Sequence, residues 1–150
     1  MKSFVVVGVG RFGSNLARTL ASLGNEVLAI DDREDRIQEI SDDVTQAVVG
    51  DVKNEGVLAS LGVRNYDVGI VALSEDVGTS VLVTTILKEL GMKFVVARAT
   101  SDMHMKVLQK VGADRVVYIE KDMGTRLGQN LSMANIIECI DLSDKLSIVE

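Results

Sequence analysis

A chain of 150 residues, 47% of them apolar, is long enough for one domain with a sizeable core. Sixteen basic against twenty-two acidic side chains give a net charge of −6 without any basic run, and aromatics are only 3%; both argue against nucleic-acid binding, through phosphates or through base stacking. There is no apolar stretch of membrane-spanning length and no signal peptide, and the single cysteine, Cys139, leaves neither a disulfide framework nor a cysteine-based zinc site, which fits a reducing cytoplasmic setting.

The first predicted strand, Ser3–Val7, is a β-branched run that ends at Gly8. Gly10 and Gly13 follow, and then a helix over about 12–23, with Phe12, Leu16, Leu20 and Leu23 on one face. Strand, GxGxxG and helix in this order make a dinucleotide-binding turn. Gly8 permits the sharp turn off the strand, Gly10 lets backbone approach a phosphate, and Gly13 lets helix and sheet pack closely. The helix N-terminus then offers free N–H groups and the positive end of its dipole to an anion. The second strand, Glu26–Ile30, leads to Asp31, 18 residues after Gly13. A carboxylate there accepts the ribose hydroxyls and repels a 2′-phosphate, which disfavours NADP; Arg33 weakens that exclusion. Capping of the next helix, about 33–41, is the other reading of Asp31.

Further along, strands are predicted over Gln46–Val49, Val68–Leu73, Phe94–Ala97 and Arg115–Tyr118, with helices over about 53–61, 76–90 and 102–111 between them. Four helices end at a glycine before the next strand, at Gly24, Gly62, Gly91 and Gly112, where a left-handed residue stops the helix. Short, apolar, unalternated strands are buried on both faces, hence parallel. With right-handed crossovers the chain is expected to be α/β, a Rossmann-like doubly wound parallel sheet of six strands. No proline-rich linker interrupts it. Residues 1–119 are expected to form the nucleotide-binding domain, and 120–150 a further helix and the start of a C-terminal lobe that stops short. Met123, Leu127 and Leu131 make an apolar stripe beside Gly124 and Gly128. That face packs either on its own sheet or on another copy of the chain.

Ligands of an open parallel sheet bind beyond the carboxyl ends of its strands. Strand three exits at Gly50, Asp51 and Val52, where Asp51 takes an adenine amino group or caps a helix. Strand four exits at Ala72, Leu73 and Ser74, small enough to flank ribose or phosphate. Strand five exits at Arg98 and strand six at Glu120. Arg11 and Arg98 bring two guanidiniums to the phosphate region, suited to a more anionic ligand such as ADP or ATP. The other readings are a solvated loop arginine for Arg11 and an ion pair with Asp102 for Arg98. Glu120 is either a ligand of a divalent cation or an ordinary capping or ion-paired acid. The one histidine, His104, is expected at the surface. No Tyr-x-x-x-Lys pair occurs, so a dehydrogenase has no visible proton donor, and the chain is expected not to be an enzyme; an NAD-dependent dehydrogenase fragment is the alternative.

These residues together resemble the KTN, or RCK N-terminal, domain of potassium-transport regulators, above all the Ktr/Trk-type regulatory subunits. The segments that carry the likeness are VVGVGRFG at 6–13, EVLAIDDRED at 26–35, ILKELG at 86–91, KVLQKVGADRVVYIEKDMG at 106–124 and IDLSDKLSIVE at 140–150. The resemblance implies a cytoplasmic subunit, peripheral at the inner face of the membrane, that binds ATP/ADP or NAD(H) and gates a potassium-conducting membrane partner without consuming the ligand. It implies homodimers assembling into an octameric ring, with the helix at 123–131 as the crossover helix between subunits. The nucleotide contacts it implies are Gly8, Val9, Gly10, Arg11, Phe12 and Gly13, then Asp31, Asp32 and Arg33, then Asp51, Val52, Ala72, Leu73, Ser74 and Arg98. Glu120 is the implied acid near the intersubunit site, where magnesium or calcium binds. Val52 and Lys53 depart from the small residues common at these positions in the family.

Overall fold

Three consecutive valines, Val5, Val6 and Val7, are completely buried, so the strand that carries them is covered on both faces. They belong to the central strand of the computed structural model, which describes residues 1–73 and 76–133. Ser74, Cys139 and the segment 140–150 lie outside the described residues. In chain order the elements are β1 (Ser3–Val7), α1 (Arg11–Ser22), β2 (Glu26–Asp31), α2 (Glu34–Ile40), β3 (Gln46–Val49), α3 (Glu55–Ser60), a 3₁₀ turn (Val63–Asn65), β4 (Val68–Val71), α4 (Val77–Glu89), β5 (Val95–Arg98), α5 (Asp102–Lys110), β6 (Arg115–Val117) and α6 (Ile119–Met133). The six strands form one sheet in the order β3-β2-β1-β4-β5-β6, every pair parallel. The fold is α/β and Rossmann-like.

Helix ends explain the register of the whole. Gly24, Gly62, Gly91 and Gly112 have φ of +91°, +69°, +94° and +108° and stop α1, α3, α4 and α5. Each stop returns the chain to the amino edge of the sheet. Strand alternation then places Val6, Val27, Ala29 and Ile70 in one core layer with Ala17 of α1 and with Ile37 and Ile40 of α2. Burying each of the valines and isoleucines in this layer stabilises the fold by about 1.5–3 kcal/mol. The strand ends differ slightly from the sequence expectation. β4 stops at Val71, although the Ala72 N–H still donates to the Val7 carbonyl at 2.8 Å. Phe94 lies exposed just before β5 rather than inside it.

Asp114, before β6, fastens three elements of the far half. Its carboxylate accepts the Val95 N–H at 2.7 Å and Lys88 Nζ of α4 at 2.9 Å. Burial raises the pKa of this acid, but those hydrogen bonds outweigh burial and hold it below the usual carboxylate value. Tyr66, leading into β4, is partly buried, and that burial together with the nearby Glu26 pushes its hydroxyl pKa up.

The chain divides into two compact units, Met1–Val117 and a second that starts at Tyr118. In the second, the Lys121 ammonium stands 5.9 Å from the centre of the Tyr118 ring. The stripe residues Met123, Leu127 and Leu131 of α6 are each 49% exposed. Among the described residues no helix is long and apolar enough to cross a membrane.

Candidate functional site

The order in which successive strands are laid down reverses at β1: β2 and β3 lie on one side of it, and β4, β5 and β6 on the other. The loops leaving β1 and β4 therefore part and open a crevice at their carboxyl ends. Register brings Val7 level with Ile30 and Val71, so Gly8, Asp31 and Ala72 stand at one height along the rim. The crevice is a cleft of about 400 Å³, within the range of small-ligand pockets. Gly8, Gly10 and Arg11 line it from the first turn. Asp31, Asp32, Val52, Ala72, Leu73 and Arg98 line it from the other strand exits, together with Arg36, Lys53, Asp76 and Thr79.

The three glycines have separate causes. Gly8 sits at φ +92°, and a Cβ there would meet the Leu73 side chain at 2.8 Å. A Cβ on Gly13 would collide with the Gly8 carbonyl oxygen, so this glycine closes helix against turn. Gly10 is different. Its φ is an ordinary −70°, and the nearest atoms to a Cβ would be those of the Arg36 guanidinium, at 3.9 Å. Protein packing does not demand a glycine at position 10. The space it leaves faces the cleft at the start of α1, where the N–H groups of the first turn meet no capping side chain.

Asp31 is 2% exposed and is bonded on both oxygens. Oδ2 accepts the Val9 N–H at 2.9 Å and lies 3.6 Å from Arg36 Nη1, while Oδ1 accepts the Arg33 N–H at 2.9 Å. The carboxylate thus ties the glycine turn to the start of α2. It is not the cap of that helix: the N-cap residue is Arg33, and Asp31 only holds that residue's N–H in place.

Four cationic side chains, Arg11, Arg36, Lys53 and Arg98, share the cleft with three carboxylates, Asp31, Asp32 and Asp76. In a chain with 16 basic and 22 acidic residues, the local balance is reversed. That reversal suits a ligand carrying phosphates beside a neutral ribose. The Arg98 guanidinium carbon lies 5.2 Å from the centre of the Phe12 ring, so Phe12 supports the cation from α1. Asp76 opens α4, accepting the Gly78 N–H at 3.0 Å and the Thr79 hydroxyl at 2.7 Å. The Thr79 and Gly78 bonds hold its pKa below the usual carboxylate value.

Several expected contacts are not among the residues that line the cleft. Val9 is buried and gives its N–H to Asp31, Phe12 underlies Arg98, and Gly13 is packed against Gly8. Arg33 points to Asp35, with hydrogen bonds of 3.2 and 2.9 Å, and its side chain is 54% exposed. Asp51 is exposed and accepts the Lys53 N–H at 3.0 Å; Asn54, not Asp51, caps α3. Ser74 lies outside the described residues. Glu120 is in the first turn of α6, in the second unit. Among the described residues no three His, Cys, Asp or Glu side chains gather to hold a metal ion. Arg36, Lys53, Asp76 and Thr79 were not expected in the cleft. Arg36 and Thr79 are each the third residue of a helix, and helical side chains tilt toward the N-terminus, back over the strand end.

His104 is 2% exposed, not at the surface. Its Nδ1 accepts the Thr100 N–H at 3.0 Å, so in the neutral ring the proton is on Nε2 and is donated to Ser80 Oγ at 2.9 Å. Burial lowers its pKa and keeps the ring neutral. A base that activates a serine needs Nε2 bare; this pair has the opposite tautomer and is structural.

The TrkA-N domain family profile matches residues 4–119. The Ktr system potassium uptake protein C of Bacillus subtilis is 43% identical over 149 residues, covering 99% of this chain and 67% of the relative. Among solved structures, the TrkA-N domain of the inner membrane protein ybaL from Escherichia coli superposes with a TM-score of 0.78 at 21% identity, over 87% of this chain and 96% of that one. The GsuK channel bound to NAD superposes with a TM-score of 0.75 at 22% identity, over 85% of this chain and 23% of that one. With a whole-domain profile match and a 43% identical relative spanning nearly all of its length, the chain belongs to the TrkA-N family.

Proposed function

We propose that the cleft binds an adenine nucleotide, ATP/ADP or NAD(H), and that the chain is the nucleotide-sensing regulatory subunit of a membrane potassium-transport system. The observation that carries this reading is the reversal of charge at the switch-point crevice, beside a glycine at which protein packing leaves room for a Cβ. The relative in Bacillus subtilis is a potassium uptake protein, and the GsuK neighbour holds NAD, which supports both halves of the reading.

The residues divide the work by chemistry. The first-turn N–H groups of α1 and the guanidiniums of Arg11 and Arg98 hold phosphate oxygens. Asp31, at the end of β2, is the ribose acceptor, and Val52 with Ala72 and Leu73 encloses the apolar faces. The subunit works at the cytoplasmic face as a homodimer within a larger ring, with the apolar stripe of α6 as the contact between copies. A nucleotide moves such an assembly only by its differential affinity for two arrangements. ATP and ADP differ by one phosphate charge, and Arg11, which lines the cleft, is the residue assigned to read that difference. The dehydrogenase reading gains nothing from His104, whose ring is held in a hydrogen-bonding role.

The test is calorimetry with ATP, ADP and NADH on the chain and on Arg11→Ala. Saturable binding is expected, with ATP weakened by the substitution about tenfold more than ADP. Equal losses for the two would remove phosphate counting from the mechanism. No heat and no thermal shift with any of the three would remove the nucleotide.

A further inference from the structure

We propose that Arg36 is a specificity-determining residue of this cleft: beside Asp31, it supplies the cation that receives a phosphate on the 2′-oxygen of a dinucleotide's adenosine ribose. The inference rests on reading the cleft as a nucleotide site.

An acid at the end of the second strand rejects a 2′-phosphate only where its charge is presented to the ligand. Asp31 keeps lone pairs for a ribose hydroxyl, but its charge is not presented alone. Oδ2 accepts the Val9 N–H and Oδ1 the Arg33 N–H, both at 2.9 Å, and the residue is buried. Arg36 Nη1 stands 3.6 Å from Oδ2, so the negative charge is offset inside the protein. The same guanidinium reaches the Cβ position of Gly10 at 3.9 Å and lines the cleft. It lies between the phosphate turn and the ribose acid, with a side chain 24% exposed. A phosphate on the ribose oxygen that faces Asp31 would stand next to it, and the planar guanidinium fork matches phosphate oxygens.

Arg33, the nearer cation in sequence, is not placed for this. Its guanidinium is turned outward onto Asp35. The exclusion of NADP expected from Asp31 is therefore lifted, and the residue that lifts it is Arg36. If Arg36 merely held Asp31 in position, its loss would weaken NADH and NADPH alike, because they differ only in the 2′-phosphate.

Fluorescence titration of the full chain with NADH and NADPH separates the two roles, with ADP calorimetry as the measure of the site itself. Wild type is expected to bind both dinucleotides. Arg36→Gln is expected to raise the NADPH-to-NADH ratio of dissociation constants about tenfold or more, a ratio in which any loss of cleft charge common to all three ligands cancels. Arg36→Lys keeps a cation and is expected to hold most of the wild-type ratio. A ratio unchanged in Arg36→Gln, or a wild type that binds NADH but not NADPH, overturns the inference while leaving the nucleotide reading intact. A wild-type chain that binds none of the three ligands overturns the nucleotide reading, and the inference with it.

Discussion

Two helices begin side by side at the carboxyl edge of the sheet, α1 after β1 and α4 after β4, and they begin in opposite ways. α4 is opened by Asp76, whose carboxylate accepts the Gly78 N–H and the Thr79 hydroxyl. α5, further along the same edge, is opened by Ser101, which accepts the His104 N–H at 3.0 Å. α1 is opened by Gly10, which has no side chain to offer. Where the chain supplies its own oxygen, the helix dipole is met from within. At α1 the chain supplies none and leaves room for a Cβ, so the first-turn N–H groups are open to an oxygen from outside the helix. The contrast separates a helix start closed by its own side chain from one left open to the cleft.

The sharpest way to break that contrast is inside the glycine turn. Gly13→Ala drives a Cβ into the backbone of Gly8 and is expected to cost about 3 kcal/mol or more in urea unfolding. Gly10→Ala, three residues earlier, is expected to cost less than about 1 kcal/mol of stability, yet to weaken nucleotide binding about tenfold in calorimetry. If the two glycines behave alike, the distinction between packing and ligand space is lost. Ser101→Ala is the converse: a loss of about 1 kcal/mol by urea unfolding with nucleotide affinity unchanged.

The smallest expected effect is in pH dependence. His104 has a folded pKa below its ordinary value near 6.5, so the folded chain binds fewer protons than the unfolded one. Its contribution is present in full above about pH 6.5 and is lost as pH falls through the lowered folded value. Unfolding measured from pH 7.5 down to 5 should show a shallower loss in His104→Gln than in wild type. Equal slopes would mean that the ring is not held neutral.

The same physics decides what the sequence let one read. Strand positions and helix stops were legible because they depend on local signals: apolar, mostly β-branched runs such as Phe4–Val7, and glycines at positions that require positive φ. The glycine turn and Asp31 were legible for the same reason. Arg36 and Thr79 were missed because they reach the cleft from the third position of a helix, and only the backward tilt of helical side chains brings them there. Arg33 drew attention by nearness along the chain, but in space it belongs to Asp35. The burial of His104 was hidden as well, since its partners Ser80 and Thr100 come from α4 and from the exit of β5, and their convergence is a property of the sheet rather than of any one segment.

The chain has two tyrosines and no tryptophan, and the tyrosines fall one to each unit: Tyr66 in the first, Tyr118 beside Lys121 at the start of the second. Intrinsic emission is therefore a two-channel signal that one Tyr→Phe exchange resolves into its parts. With no indole, no tryptophan emission overlaps the near-ultraviolet band of a reduced nicotinamide. The molecule arrives with its own optical labels, and titrations and unfolding can be recorded without attaching a dye.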